Sequence, residues 1–234
     1  VEVPPATPAR WGCASAATAS DLRRLCAEGE TQMERAWARR IAVADDPDRA
    51  LADFPYAENY RRLVRLEVDV LGRTVRRRVA QVAFVGAGPL PLSALYLARM
   101  LGAPVDAVDR DPAATAEGRL VAAALGDSAT VSFVRADATD VDFRRYDVVV
   151  LAALVGATPA AKRGVLAHLG ATMAPGAVLL ARSARAARTL LYPPVDAADL
   201  GHLRLQTVVH PVDDVVNSVV VARVPGEPHS WGGS

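Results

Sequence analysis

Two glycines, three acids and a few tyrosines carry the chemistry that this 234-residue sequence can support. Gly86 and Gly88, in "FVGAGPLP", fall between an apolar run and a helical one. Glycine backbone lets a ligand approach closely, and the helix start that follows favours an anionic group. Asp109 ends the next apolar run, where a carboxylate can accept both hydroxyls of a ribose. Asp137, in "RAD", stands where a carboxylate can accept an adenine amino group. With Ala87 and Pro89 in the turn, and Ala138 and Ala152 after later strands, these residues form a candidate nucleoside site. Taken singly, each acid is equally a turn or helix cap, and the glycines equally a tight turn. Glu67 is different. Its helix neighbours at three and four residues are Leu63, Val64, Val70 and Leu71, so no arginine sits at ion-pair spacing. An acid on an apolar face either works as a general base or satisfies a buried structural partner.

Positioning such groups requires a frame, and the frame is legible. "SDLRRLCAEGETQMERAWARRIA" has helical spacing from Ser20, with Gly29 expected to separate two helices. A short helix follows in "DDPDRALADFP", then "YAENYRRLVRLEVDVLGR" as a third, closed by Gly72. From Val79 strands and helices alternate: "QVAFVGAG", "PVDAVDRD", "ATVSFVRAD", "YDVVVLAAL" and "AVLLARS" read as buried parallel strands. The last two, "LRLQTVVH" and "VVNSVVVARV", have no helix between them and read as an antiparallel pair at the sheet edge. The expectation is an α/β fold: a doubly wound, mostly parallel, seven-stranded Rossmann-like sheet of the class I methyltransferase type with an N-terminal helical annex. Residues 1–19 are expected to be a flexible arm, 20–78 the annex covering the site, 79–226 the nucleoside-binding domain and 227–234 a tail.

Composition removes several function classes. Hydrophobic residues make up 51% and aromatic ones 5%, so the core is built from Ala, Val and Leu. The net charge of +1 offers no general grip on nucleic acid. The cations are nearly all arginine, and Lys162 is the only lysine. Cys13 and Cys26 fit neither a disulfide framework nor a zinc site, and His168, His202 and His210 lack metal-ligand spacing, so no metal is expected. No run of 18 apolar residues exists to span a membrane. The N-terminal sequence lacks the basic-then-apolar order of a secretory leader, which makes a cytoplasmic location the expectation.

The glycine turn discriminates between nucleotide ligands. Pro91 stands where a dinucleotide fingerprint has its third glycine, and Pro89 and Pro91 remove two N–H donors that a pyrophosphate would use. S-adenosylmethionine (SAM) carries no phosphate and tolerates that loss. The acid after the third strand and the terminal strand pair favour SAM as well.

With these motifs in view, the chain resembles the nicotianamine synthase family. The segments concerned are "FPYAENYRRLVRLEVDVL", the double-proline turn "VAFVGAGPLPL", "YDVVVLAALVG", "LGATMAPGAVLLARSARAARTLLYPPVD" and "VVHPVDDVVNSVVVAR". The resemblance runs from about residue 30 to 224, and the chain departs from plant members in a shorter N-terminal region and no long C-terminal extension. It implies that SAM donates its 3-amino-3-carboxypropyl arm to an amine, releasing methylthioadenosine, with an amino acid or a second SAM as acceptor. It leaves a homodimer open.

Such a reaction needs a neutral amine, hence a base. Glu67 is the first candidate, on a helix expected to face the ligand, with Tyr192 and Tyr60 as further catalytic candidates. Tyr56, Tyr96 and Arg182 are expected to hold substrate: the tyrosines through hydroxyl or ring, Arg182 through a bidentate carboxylate contact at the end of the fifth strand. Each is equally readable as a core filler or, for Arg182, a structural ion pair. Three other activities compete: closure of SAM on itself to azetidine-2-carboxylate, ordinary methyl transfer, and SAM binding without catalysis. An "NPPY"-type tetrapeptide is missing after the fourth strand, where "AALV" stands, which disfavours amino-methyl transfer to a base or amide.

Overall fold

Near-continuous Val, Ala and Leu in five short segments dictate strands buried on both faces, and five such strands lie side by side. They are β1 (Val82–Val85), β2 (Val105–Asp109), β3 (Val131–Arg135), β4 (Val148–Leu151) and β5 (Val178–Ser183). With β6 (Arg204–Val209) and β7 (Ser218–Arg223) they form one sheet in the order β3-β2-β1-β4-β5-β7-β6. These positions come from a computed structural model that describes residues 16–211, 215 and 217–226. The first five strands are parallel, and β7 runs antiparallel to both β5 and β6. The expected antiparallel pair is therefore present, with its second strand inserted inside the sheet and its first at the edge.

Alternate residues along each strand feed two apolar layers. Val82, Phe84, Val148, Val150 and Leu180 face one layer, built with α3 (Ala57–Thr74), α4 (Leu92–Leu101) and α5 (Pro112–Ala124). Ala83, Val85, Val149, Leu151 and Leu179 face the other, closed by α6 (Pro159–Thr172). Phe143 and Tyr146 are the largest side chains buried in it. The sheet order reverses between β1 and β4, which is where an open α/β sheet gathers its ligand.

The N-terminal helices pack on the first layer. α1 (Ala16–Ala42) is a single 27-residue helix, which corrects the expected break at Gly29 and the expected loose arm up to residue 19. Glycine costs about 1 kcal/mol within a helix, too little to break one flanked by Ala, Leu, Arg and Glu. Its second half is also clamped: Arg35 pairs with Asp111 and Glu117, and Arg39 with Glu117 at 3.0 Å, on α5 and its N-cap. α2 (Pro47–Ala52) is capped by Asp46, whose side chain accepts from the Arg49 amide. α3 runs two residues beyond the expected stop at Gly72. Residues 1–15 and 227–234, with Cys13, lie outside the described residues.

Glu67 occupies the middle of the apolar face of α3 and is fully buried. Its partner is Arg182 at the end of β5, held bidentately: Nε donates to Oε1 at 2.7 Å and Nη2 to Oε2 at 3.0 Å. Nη2 also donates to the Ser93 hydroxyl at 2.9 Å, and the guanidinium lies 5.0 Å from the centre of the Phe84 ring. Of the two roles weighed for this acid, the structure builds the buried structural partner. Removing one member of such a pair leaves an uncompensated buried charge, at about 3–5 kcal/mol. We expect Glu67→Gln to lower the unfolding free energy by that amount, seen in urea as a lower midpoint at an unchanged denaturant slope; a loss below about 1 kcal/mol would show that the pair does not tie the annex to the sheet.

Candidate active site

The chain ends of β1, β2, β3 and β4 and the middle of α1 enclose a cavity of about 1130 Å³. Its floor is the glycine turn. Gly86 and Gly88 have φ of 86° and 66°, a left-handed region that favours glycine. A Cβ on Gly86 would stand 2.3 Å from the Val155 side chain, and one on Gly88 2.7 Å from a Glu34 carboxylate oxygen. Asp109 braces the turn: its Oδ2 accepts from the Gly88 amide at 2.8 Å and its Oδ1 from the Asp111 amide at 2.9 Å. Asp137 caps a short 3-10 turn, accepting from the Thr139 amide and hydroxyl, which holds its carboxyl below the usual range.

Ala87, Pro89, Ala138 and Ala152 line the same space, as do Tyr56, Tyr60, Tyr192 and Arg182. Two expected site residues do not. Glu67 lies behind Arg182 with both oxygens occupied, so it cannot reach a ligand in the cavity. Tyr96 lies on α4, packed toward Arg61 and Arg99, and its phenol is raised by burial. Arg182 borders the cavity with its fork committed to Glu67 and Ser93, so a bidentate grip on a ligand carboxylate is not open to it.

Two acids missed in the sequence stand in their place. Glu30 and Glu34 are one turn apart on α1, both in the cavity wall. Tyr60 donates to Glu34 at 2.6 Å, and Tyr192 donates to Glu30. Burial pushes Glu34 up to about 8; the Tyr60 hydrogen bond opposes that rise, Glu30 and Asp109 add to it, and Arg182 opposes it. Burial, then the neighbouring acid, raises both phenols well above their ordinary value. Burial and the Glu30 carboxylate raise the Cys26 thiol to about 11. The test that singled out Glu67 also marks these two: no cation stands three or four residues from Glu30 or Glu34, and they repel each other at that spacing. Dividing the helix at Gly29 hid the pattern.

Lys162, given no role in the sequence, is buried under the loop after β4. Its ammonium donates to the Ala153 carbonyl at 2.8 Å, and burial lowers it to about 8. Among the described residues no group of three His, Cys, Asp or Glu could hold a metal, and no helix is long and apolar enough to cross a membrane.

Known proteins resemble this chain in sequence and fold. Solved structures of MtNAS superpose on the chain: the complex with MTA and tNA has a TM-score of 0.79 at 29% identity, covering 88% of this chain and 75% of that one. A glutamate-to-glutamine variant of MtNAS in complex with S-adenosylmethionine has a TM-score of 0.78 at 28% identity, covering 88% and 77%. The N-methyltransferase NodS of Bradyrhizobium japonicum WM9, at a TM-score of 0.54 and 19% identity, shares the fold alone. "Probable nicotianamine synthase 3" of Hordeum vulgare is 44% identical over 90% of this chain, which spans 65% of that protein's length. "Nicotianamine synthase 2" of Oryza sativa subsp. japonica is 44% identical over 98% of this chain, which spans 74% of it. The family model described as "Nicotianamine synthase protein" matches residues 14–228, from α1 to beyond the last strand. By that match and by the double-proline turn, the capped acids and the tyrosines that share its cavity, the chain belongs to the nicotianamine synthase family.

Proposed function

We propose that the chain transfers the 3-amino-3-carboxypropyl arm of SAM to an amine and releases 5'-methylthioadenosine. The observation that carries this reading is Glu34: a carboxyl raised to about 8, hydrogen-bonded by Tyr60 and set against the glycine turn where the donor's nucleoside fits. Ribose hydroxyls suit Asp109, and the adenine suits the wall formed by Asp137, Ala138 and Ala152. No pyrophosphate is required, which agrees with Pro89 and Pro91. The donor supplies an electrophilic carbon beside a sulfonium; its C–S bond breaks and the electron pair leaves on sulfur. The acceptor nitrogen forms the new C–N bond, and Glu34 takes the proton that this nitrogen sheds. Tyr60 holds the carboxylate in line and, with its phenol raised, stays a donor throughout. Glu34 replaces Glu67 as the catalytic base, because only Glu34 borders the ligand space.

Identifying products by mass after incubation with SAM and amino acids tests the reaction. Methylthioadenosine should dominate, since only the aligned sulfonium carbon reacts. Dominant S-adenosylhomocysteine would make the chain a methyltransferase, and azetidine-2-carboxylate from SAM alone would make it a cyclase.

Glu34→Gln should lower turnover by about 10²–10⁴-fold, the usual contribution of a positioned base. Its stability should move the other way. The folded carboxyl, at about 8, sits above its unfolded value, so it favours folding below the unfolded range and that contribution is lost as pH rises toward 8. Melting curves should therefore show the glutamine variant gaining on the parent between pH 5 and pH 8. In the parent, kcat/KM should climb through about pH 8; a flat profile with normal turnover in the variant would remove Glu34 from the chemistry. Asp109→Ala should weaken methylthioadenosine by at least 10-fold in calorimetry, and unchanged affinity would remove Asp109 from the ribose site.

A further inference from the structure

One part of the donor has no partner yet. Asp109 suits its ribose, and the wall of Asp137, Ala138 and Ala152 suits its adenine. The arm of SAM also carries a carboxylate, and the Arg182 fork is committed to Glu67 and Ser93. An anion enclosed by protein needs a hydrogen-bond donor, and one backed by positive charge serves it best.

The loop after β4 holds such a donor. Residues 152–155 form a turn, closed by the Val155 amide on the Ala152 carbonyl at 3.3 Å. Its central peptide joins Ala153 to Leu154. In a trans peptide the carbonyl and the N–H point in opposite directions. The Ala153 carbonyl is turned onto the ammonium of Lys162, which is 1% exposed and does not border the cavity. The Leu154 N–H is thereby turned the other way, and Leu154 lines the cavity. Among the described residues no acceptor takes this N–H. A flipped central peptide would need a positive φ at Leu154, and among the described residues Ala186 alone, glycines aside, has one. The loop is also pinned as a body. The Val155 side chain packs on Gly86, and a Cβ on Gly156 would stand 2.7 Å from the Lys162 backbone nitrogen.

Lys162 sits in the first turn of α6, where the helix dipole disfavours a cation. Among the described residues it has no ion pair, and the Ala153 carbonyl is the one acceptor that meets its ammonium. Methionine would fill the same volume without burying a charge. A lysine does something there that methionine cannot: a cation on a peptide carbonyl polarises the peptide and strengthens its N–H as a donor.

Resting on the SAM site proposed above, we infer that Lys162 is a positioning residue, which orients the Ala153–Leu154 peptide so that the Leu154 N–H binds the carboxylate of the donor's arm. The charge of Lys162 reaches that carboxylate through the peptide, while the ammonium stays outside the cavity.

Binding of unreactive thioethers tests this apart from turnover. The protein is titrated calorimetrically at pH 7 with S-adenosylhomocysteine and with its decarboxylated analogue, which lacks only the carboxylate. The ammonium is charged at that pH, below its value of about 8. The parent should bind S-adenosylhomocysteine at least about 10-fold more tightly, the effect of one hydrogen bond to a charged group. Lys162→Met should cut that preference to under about 3-fold by weakening S-adenosylhomocysteine alone. Lys162→Gln, which keeps a neutral donor, should fall between. The methionine variant should melt no lower than the parent, because a buried unpaired cation has been removed. Equal binding of the two thioethers by the parent, or a preference that survives Lys162→Met, overturns the assignment. A variant that weakens both ligands alike, or that melts lower, overturns it too, by making Lys162 a prop for the cavity wall. Failure of the wild type to release methylthioadenosine from SAM would instead refute the reaction.

Discussion

The contact between Glu67 and Arg182 fixes the annex helix α3 to the sheet. It joins the centre of an annex helix to the end of a core strand, with Ser93 on a third element completing the guanidinium's bonds. A bidentate pair tolerates little sliding or rotation, so α3 has one register on the sheet. That register places Tyr60 two turns up the same helix at the cavity and on Glu34. An apolar pair of the same volume would bury as well but would not fix the angle. The apolar neighbours Leu63, Val64, Val70 and Leu71 supply the burial, and the ion pair supplies the orientation.

The fold was open to reading because its signals are local and repeated. Five apolar runs, three of them ending in Gly or Asp and three followed by a helix with Pro at or just before its first turn, admit few other arrangements. The glycine turn was equally visible, since Gly86 and Gly88 take a left-handed backbone that their residue type favours and Asp109 braces it. The buried acids were harder to sort. Glu67 and Glu34 satisfy the same rule, an acid without a helix-spaced cation, and nothing local distinguishes a buried strut from a base. The distinction is made by Arg182, 115 residues away from Glu67. Asn217 shows the same limit from the other side: its unpaired amide is a property of what surrounds it, and the sequence "VVNSVV" carries no trace of it.

Burial divides the charged groups by purpose. Asp109 and Asp137 lean on backbone N–H groups and hold a fixed shape. Glu30 and Glu34 lean on phenols, which stabilise a carboxylate less than a cation would and leave room for one to arrive. Mutual repulsion across one helical turn makes the pair a poor fit for an empty cavity and a good one for a cationic ligand.

The buried lysine and the shielded thiol bear on a hazard that any container for a sulfonium faces, namely alkylation of its own walls. Arginine replaces lysine throughout the chain, and a guanidinium is a poor nucleophile. The one side-chain amine, Lys162, is buried with its nitrogen on a backbone carbonyl and does not border the cavity. Cys26 does border it, but burial and Glu30 keep its thiol protonated to about pH 11, and the thiolate is the reactive form. Among the described residues the cavity wall is therefore chemically quiet, and an electrophile held there encounters no amine or thiolate except one that enters from outside.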